Sequence, residues 1–187
     1  AVRQPQALGL GHAILCAKTV VGNRPFAVML VDDLIDAPEQ GCLADMVALH
    51  QETGVFSVAV QDVPREHTNR YGVVSLAGMR VTALVEKPAP AVAPSTLAVV
   101  GRYILPPQIF AALEQVKPGA GGEIQLTDGI AALLADIEFR PHRFRGVRYD
   151  CGSKLGHLQA NIAYALKDAE LTANLVPWLQ QQLQGNR

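Results

Sequence analysis

Residues Phe26 to Val31 form an unbroken apolar run that ends on two aspartates, Asp32 and Asp33. A segment this short and this apolar predicts a strand with both faces covered, inside a sheet that carries helices on each side. Leu10 to Val21 has helical spacing and leads into the turn cluster Gly22-Asn23-Arg24-Pro25. Leu43, Met46, Val47 and His50 recur at helical intervals before Thr53-Gly54, and Val55 to Val60 reads as the next strand. Strand, helix and strand in that order predict a β-α-β unit whose strands form a parallel pair.

The rest of the chain continues the alternation. Val73 to Leu76, Val81 to Val85, Leu97 to Leu105, Ile137 to Phe144 and Val147 to Tyr149 predict short strands. The proline-rich stretch from Pro88 to Pro94 predicts a surface loop. Leu126, Ile130, Leu133 and Leu134 mark an amphipathic helix opened by residues 118–122, and a last helical region begins at Ser153. There Leu155, Leu158, Ile162 and Leu166 share one stripe, and Pro177 interrupts the pattern. No repeat or linker divides the 187 residues, so one mixed α/β domain over 1–187 is expected, with a C-terminal helical segment from about 153.

Composition narrows the function classes. An apolar share of 49% excludes disorder, and 16 basic against 17 acidic residues leave a net charge of -1, without the footprint of a nucleic-acid binder. No apolar run is long enough to span a bilayer, so no membrane partner is expected. Cys16, Cys42 and Cys151 are odd in number and unpaired in spacing, which suits a reducing, cytoplasmic setting without structural disulfides. The five histidines show no ligand spacing for zinc, and no serine sits in a nucleophile elbow. Arg140, Arg143, Arg145 and Arg148 cluster without stacking aromatics, and read as a solvated strand face, with phosphate contact as the alternative.

Four short motifs carry candidate chemistry. Asp32 and Asp33 follow a strand, where open α/β sheets bind ligands and where Mg²⁺ finds carboxylate oxygens; the alternative is that they cap the next turn. Asp150 in Tyr149-Asp150-Cys151-Gly152 is either a second metal ligand or the N-cap of the helix from Ser153. Glu86 and Lys87 end a strand at Pro88. A carboxylate accepts from sugar hydroxyls and an ammonium neutralises a phosphate, but neighbours on a regular strand face opposite ways, so both serve one ligand only if the strand bends. The alternative is an exposed ion pair. Gly9-Leu10-Gly11-His12 opens a helix whose amides could receive an anion or a ring edge, but no strand precedes it and a dinucleotide fold is rejected.

Taken in order, these pieces resemble the bacterial UTP–glucose-1-phosphate uridylyltransferases, within the sugar-phosphate nucleotidyltransferases. The resemblance runs from Arg3 to about Leu166. It rests on residues 3–17 (RQPQALGLGHAILCA), Leu30 to Leu34, Tyr71 to Val74, Glu86 to Pro88, Val100 to Tyr103, Gly122 to Asp128 and Tyr149 to Gly152. It implies a Rossmann-like nucleotide-diphospho-sugar transferase fold with a mixed, mostly parallel central sheet. It also implies transfer of a uridylyl group from UTP to glucose 1-phosphate, giving UDP-glucose and pyrophosphate, in line and without a covalent intermediate.

By the same resemblance, Gln4 and Gly9 contact the uracil, and Asp32 holds Mg²⁺ with Asp150 a possible second ligand. Gly72 and Glu86 bind glucose hydroxyls, Lys87 contacts the bridging phosphate, and Val100 and Gly101 shape the sugar pocket. The family is usually homo-oligomeric, with the helix after Ala169 as a contact surface. Glu123 and Asp128 lie in a recurring segment whose role stays open. Relatives also carry a first strand and a G-x-G-T-R loop that cradles the triphosphate, placed upstream of Ala1. The expectation is therefore a remainder of a longer protein, lacking N-terminal strand and loop and inactive alone. Val31 stands where many relatives have Pro or Ala, and the loop from Asp62 to Arg70 is expected to be short. Competing readings are a thymidylyl or cytidylyl enzyme and a non-catalytic UDP-sugar-binding module.

Overall fold

A computed structural model describes residues 1–37, 39–119 and 122–185. The chain packs as two units, Ala1–Leu30 with Pro38–Arg145, and Val31–Ala37 with Gly146–Arg187. In the larger unit, α1 (Leu10–Cys16), α2 (Lys18–Val21) and β1 (Phe26–Met29) precede α3 (Cys42–Thr53). There follow β3 (Phe56–Asp62), a 3₁₀ turn (Arg65–Arg70), β4 (Gly72–Ala77), β5 (Arg80–Glu86), β6 (Leu97–Leu105), α4 (Ile109–Gln115), α5 (Leu126–Leu133) and β7 (Phe139–Arg143). The smaller unit holds β2 (Asp33–Asp36), β8 (Val147–Asp150), α6 (Lys154–Ala165) and α7 (Ala169–Gly185).

β6 organises the larger unit. All nine of its residues are buried, and it runs antiparallel to β1, β3 and β4. The sheet order is β5-β4-β6-β3-β7, with β1 also on β6. Val58, Val60, Val99, Leu105, Ile109, Leu113, Ile130 and Phe139 form the centre of the core. Burial of such side chains contributes roughly 1.5–3 kcal/mol each, which is what fixes the register.

Two sequence expectations about this sheet are corrected. β1 and β3 do not pair with each other; β6 lies between them and runs against both. Only β3 and β7 pair in parallel among the described strands, so the sheet is mixed but mostly antiparallel. Part of this is local: β4 and β5 form an antiparallel hairpin closed at Gly78 (φ +59), and the chain then crosses back so that β6 pairs with the other edge of β4. β1 is also not covered on both faces, because Ala27 and Met29 are exposed between half-buried Phe26 and Val28. The strand covered throughout is β6.

The helices follow the pattern with local changes. The first predicted helix breaks at Ala17 into α1 and α2. α3 ends as expected on Gly54, left-handed at φ +71, whose amide bonds the His50 carbonyl. Part of the loop-opening stretch 118–122 lies outside the described residues. The 88–94 loop is irregular but not wholly on the surface: Pro88 and Ala93 are buried, and Arg65 Nη1 donates to the carbonyls of Pro90 and Ala93. In the smaller unit, α7 runs through Pro177 without stopping, so that proline does not end the helix. α6 buries the small residues Gly156 and Ala160, while Leu155, Leu158 and Leu166 of the expected stripe are exposed. Among the described residues no helix is long and apolar enough to cross a membrane, and all three cysteines are free.

Candidate active site

The proposed site residues fall into three groups, two in the larger unit and one in the smaller. The first is built on the turn into α1. Gly9 has φ +91, and a Cβ there would lie 2.8 Å from Glu123 Cβ and 3.0 Å from the Ile124 carbonyl oxygen. Only glycine fits this approach. Ile124 N–H donates to the Leu8 carbonyl and Gly11 N–H donates to the Ile124 carbonyl, so residues 8–11 are laced to 123–124. The Gly11 amide is thus already used and is not open to an anion. Gln4 reaches into the same turn and donates to the Gly9 carbonyl at 3.1 Å.

The second group lies where β4 and β5 meet. Gly72 and Glu86 are register partners, and a Cβ on Gly72 would sit 2.7 Å from Thr127 Cγ2 and 3.4 Å from Glu86 Oε2. Glycine is therefore required by the approach of α5. Lys87 is the one non-glycine residue with positive φ among those described, at +44. That left-handed turn is the bend the sequence argument required. It brings Lys87 Nζ to 3.5 Å from Glu86 Oε1, with the ammonium half exposed and the carboxylate less so. The Lys87 amide donates to the Tyr71 carbonyl, which closes the corner. Val100 and Gly101, in contrast, are buried within β6. The Gly101 carbonyl accepts from Leu30 N–H at 2.8 Å and from Arg102 Nη1 at 3.0 Å, and Arg102 Nη1 also bonds the Leu30 carbonyl.

The third group belongs to the β2–β8 ribbon. Asp33 and Asp150 are register partners, and the Cys151 amide donates to the Asp32 carbonyl at 2.7 Å. Asp33 is buried and ion-paired with Arg148, so it serves as structure while Asp32 is exposed. Arg148 is correspondingly buried and is not part of a solvated face; Arg143 of the same cluster is exposed and paired with Asp62. The N-cap of α6 is Ser153, whose Oγ accepts from Gly156 N–H at 3.0 Å, so Asp150 does not cap the helix.

A Cβ on Gly152 would lie 3.1 Å from Asp32 Oδ2 and 3.2 Å from Asp150 Oδ1. Two carboxylates thus flank a space that any larger residue would fill. Such a pair of hard oxygens, with room beside it, fits Mg²⁺, which takes one or two protein carboxylates and completes its shell from phosphate and water. Among the described residues no group of three or more potential ligands exists. Burial pushes the Cys42 thiol up to about 11, so it is no nucleophile.

The structure also gives the segment from Glu123 to Thr127 a role that the sequence did not. Glu123 and Ile124 back Gly9, Thr127 backs Gly72, and Glu123 Oε2 accepts from Gln125 Nε2 at 2.9 Å. The segment is a strut that spaces the first two groups. Asp128 is exposed on α5 and takes no part in it. The signal in the sequence was the pair of glycines, which ask for a close neighbour without naming it.

Residues 1–165 match the family described as nucleotidyl transferase. UTP–glucose-1-phosphate uridylyltransferase of Staphylococcus haemolyticus is 44% identical over 185 residues, 96% of this chain and 64% of the relative. The Bacillus subtilis protein of the same name is 42% identical over 184 residues, 63% of its length. Among solved structures, a UDP-glucose pyrophosphorylase complexed with UDP-glucose superposes with a TM-score of 0.84 at 43% identity, over 89% of this chain and 66% of that one. The UTP-bound enzyme from Acinetobacter baumannii gives 0.84 at 41%, over 96% and 64%. The chain spans a little under two thirds of the length of these relatives. With 165 of its residues matched and relatives more than 40% identical over 96% of its length, the chain belongs to the nucleotidyl transferase family.

Proposed function

We propose that this chain serves the transfer of a uridylyl group from UTP to glucose 1-phosphate, with release of pyrophosphate and formation of UDP-glucose. The observation that carries the reading is the corner at Lys87, where a left-handed residue sets an ammonium beside a carboxylate at the end of a strand. Such a corner can offer an acceptor to sugar hydroxyls and a cation to the adjoining phosphate. The relatives that bear the uridylyltransferase name support the choice of uridine and glucose.

In this reading Gln4 and Gly9 bind the base, Gly72 and Glu86 orient the glucose, and Val100 with Gly101 backs the sugar side. Lys87 holds the phosphate that becomes the bridge. Asp32, with Asp150, would hold Mg²⁺, which when bound supplies positive charge between two anionic reactants. A glucose-1-phosphate oxygen attacks the α-phosphorus of UTP in line, the bond to the β-phosphate oxygen breaks, and pyrophosphate leaves. No side chain forms a covalent bond, so the residues contribute by positioning and neutralisation. We place the reaction in a reducing compartment, in line with the three free thiols. We place a homo-oligomeric contact on α7, where Leu171, Trp178 and Leu183 are exposed.

The test is calorimetry with UDP-glucose and Mg²⁺, alongside pyrophosphate release from UTP and glucose 1-phosphate. Binding of UDP-glucose that weakens at least tenfold in Glu86→Ala supports the reading, and in an intact enzyme carrying the N-terminal strand and loop, turnover in Asp32→Ala should fall by about 10²–10³. Equal preference for thymidine, or binding indifferent to Glu86, would overturn it. Binding without any pyrophosphate release favours a non-catalytic module only where adding back the N-terminal strand and loop of the relatives does not restore release.

A further inference from the structure

The Gln4 amide nitrogen lies 3.1 Å from the Gly9 carbonyl oxygen and 3.0 Å from His12 Nδ1. A carbonyl oxygen only accepts, so the group facing it is the amide NH₂, and the side chain is fixed in one of its two orientations. The same nitrogen then donates its second hydrogen to His12. That requires a lone pair on Nδ1, which puts the imidazole proton on Nε2, 4.0 Å from Cys16 Sγ, a weak acceptor. With both amide hydrogens committed, Gln4 has only its carbonyl oxygen left to present.

We propose that His12 is a positioning residue that sets base selectivity through Gln4. Together with the Gly9 carbonyl, the second acceptor at His12 Nδ1 keeps the NH₂ turned inward and makes position 4 an acceptor. An acceptor suits a pyrimidine with a ring N–H at N3, as in uracil, and opposes the N3 lone pair of cytosine. A flipped amide would reverse that preference, and Gly9 alone, with one bond, restrains the flip less than two partners do. His12 needs no contact with the nucleotide for this. The inference rests on the reading of Gln4 as the base contact, and it adds the residue that decides which end of the amide the base meets.

The experiment compares affinities for UDP-glucose and CDP-glucose, with Mg²⁺, in the unmodified chain, His12→Phe and His12→Asn. Phenylalanine keeps the ring volume without an acceptor, whereas asparagine keeps an acceptor oxygen at the δ position. The expected result is a uridine preference that falls about tenfold or more in His12→Phe and is largely retained in His12→Asn. An unchanged ratio in His12→Phe overturns the proposal, as does an equal loss in both variants. No binding of UDP-glucose by the unmodified chain would instead sink the uridylyl reading, and this inference with it. Long-range ¹H–¹⁵N correlation NMR of the unliganded chain reads the tautomer directly. A proton on Nε2 supports the arrangement, and one on Nδ1 overturns it even where the uridylyl reading stands.

Discussion

Lys87 is where backbone cost and proposed function meet, and the two can be separated by two substitutions. Its φ of +44 lies in the left-handed region, which costs an L-residue about 1–2 kcal/mol relative to ordinary backbone. Glycine escapes that cost but loses roughly 0.5–1 kcal/mol through its freer unfolded chain. Both Lys87→Ala and Lys87→Gly remove the ammonium and its 3.5 Å contact with Glu86. Because Lys87 is half exposed, that contact contributes little, and its loss is common to both variants. The difference between them is then the strain less the entropic loss of glycine, with Lys87→Gly the more stable by up to about 1 kcal/mol. For a chain of this size that is roughly 2–4 °C in melting temperature. Differential scanning calorimetry reads the shift, and UDP-glucose titration should show both variants equally weakened. A Lys87→Ala variant that melts at or above Lys87→Gly would refute the claim that the corner is strained.

Three further outcomes are expected. Arg148→Met removes the cation paired with buried Asp33 and should destabilise the fold by a few kcal/mol, on the order expected for a broken buried pair; thermal melts decide, and an unchanged melting temperature contradicts it. Gly156→Ala places a Cβ 2.1 Å from the Asp150 carbonyl, so α6 and β8 must move apart at a cost of about 1–3 kcal/mol, and Mg²⁺-dependent UDP-glucose affinity should drop with it. Burial holds His142 below its ordinary value of 6.5, with Asp45 pulling the other way. The unfolded imidazole therefore takes up its proton first, so stability present above 6.5 is lost as pH falls through the interval beneath it. His142→Gln should flatten that slope in urea melts between about pH 8 and pH 5, and superimposable slopes would count against it.

Much of the architecture was legible because local chemistry dictated it. Leu97 to Leu105 is a strand for the reason its composition suggests, and Gly54 ends α3 as a left-handed cap must. Strand partners were less legible. The run from Phe26 looks buried on both faces, yet Met29 is 57% exposed, because apolar composition alone does not say which neighbour will cover a strand. At the site, Glu86 and Lys87 could be picked out from their place before Pro88. That they lean together depends on one dihedral angle that no residue type announces. The division of labour between Asp32 and Asp33 depends on Arg148, which only the β2–β8 register supplies. Thr127 was missed for a similar reason: Gly72 asks for an intruder, but its identity comes from how α5 packs.

The β2–β8 ribbon joins two pieces of chain that most of the larger unit separates. During synthesis, Asp32 leaves the ribosome early and waits for Asp150, so neither the carboxylate pair nor the Asp33–Arg148 bond exists until β8 follows. A nascent chain halted within α5 would hold the Gly9 turn and the β4–β5 corner, but not the carboxylate pair proposed to hold a cation. Ion capture would then mark late maturation, and a pulse of metal during refolding should trap only those molecules in which the far-apart strands have already zipped.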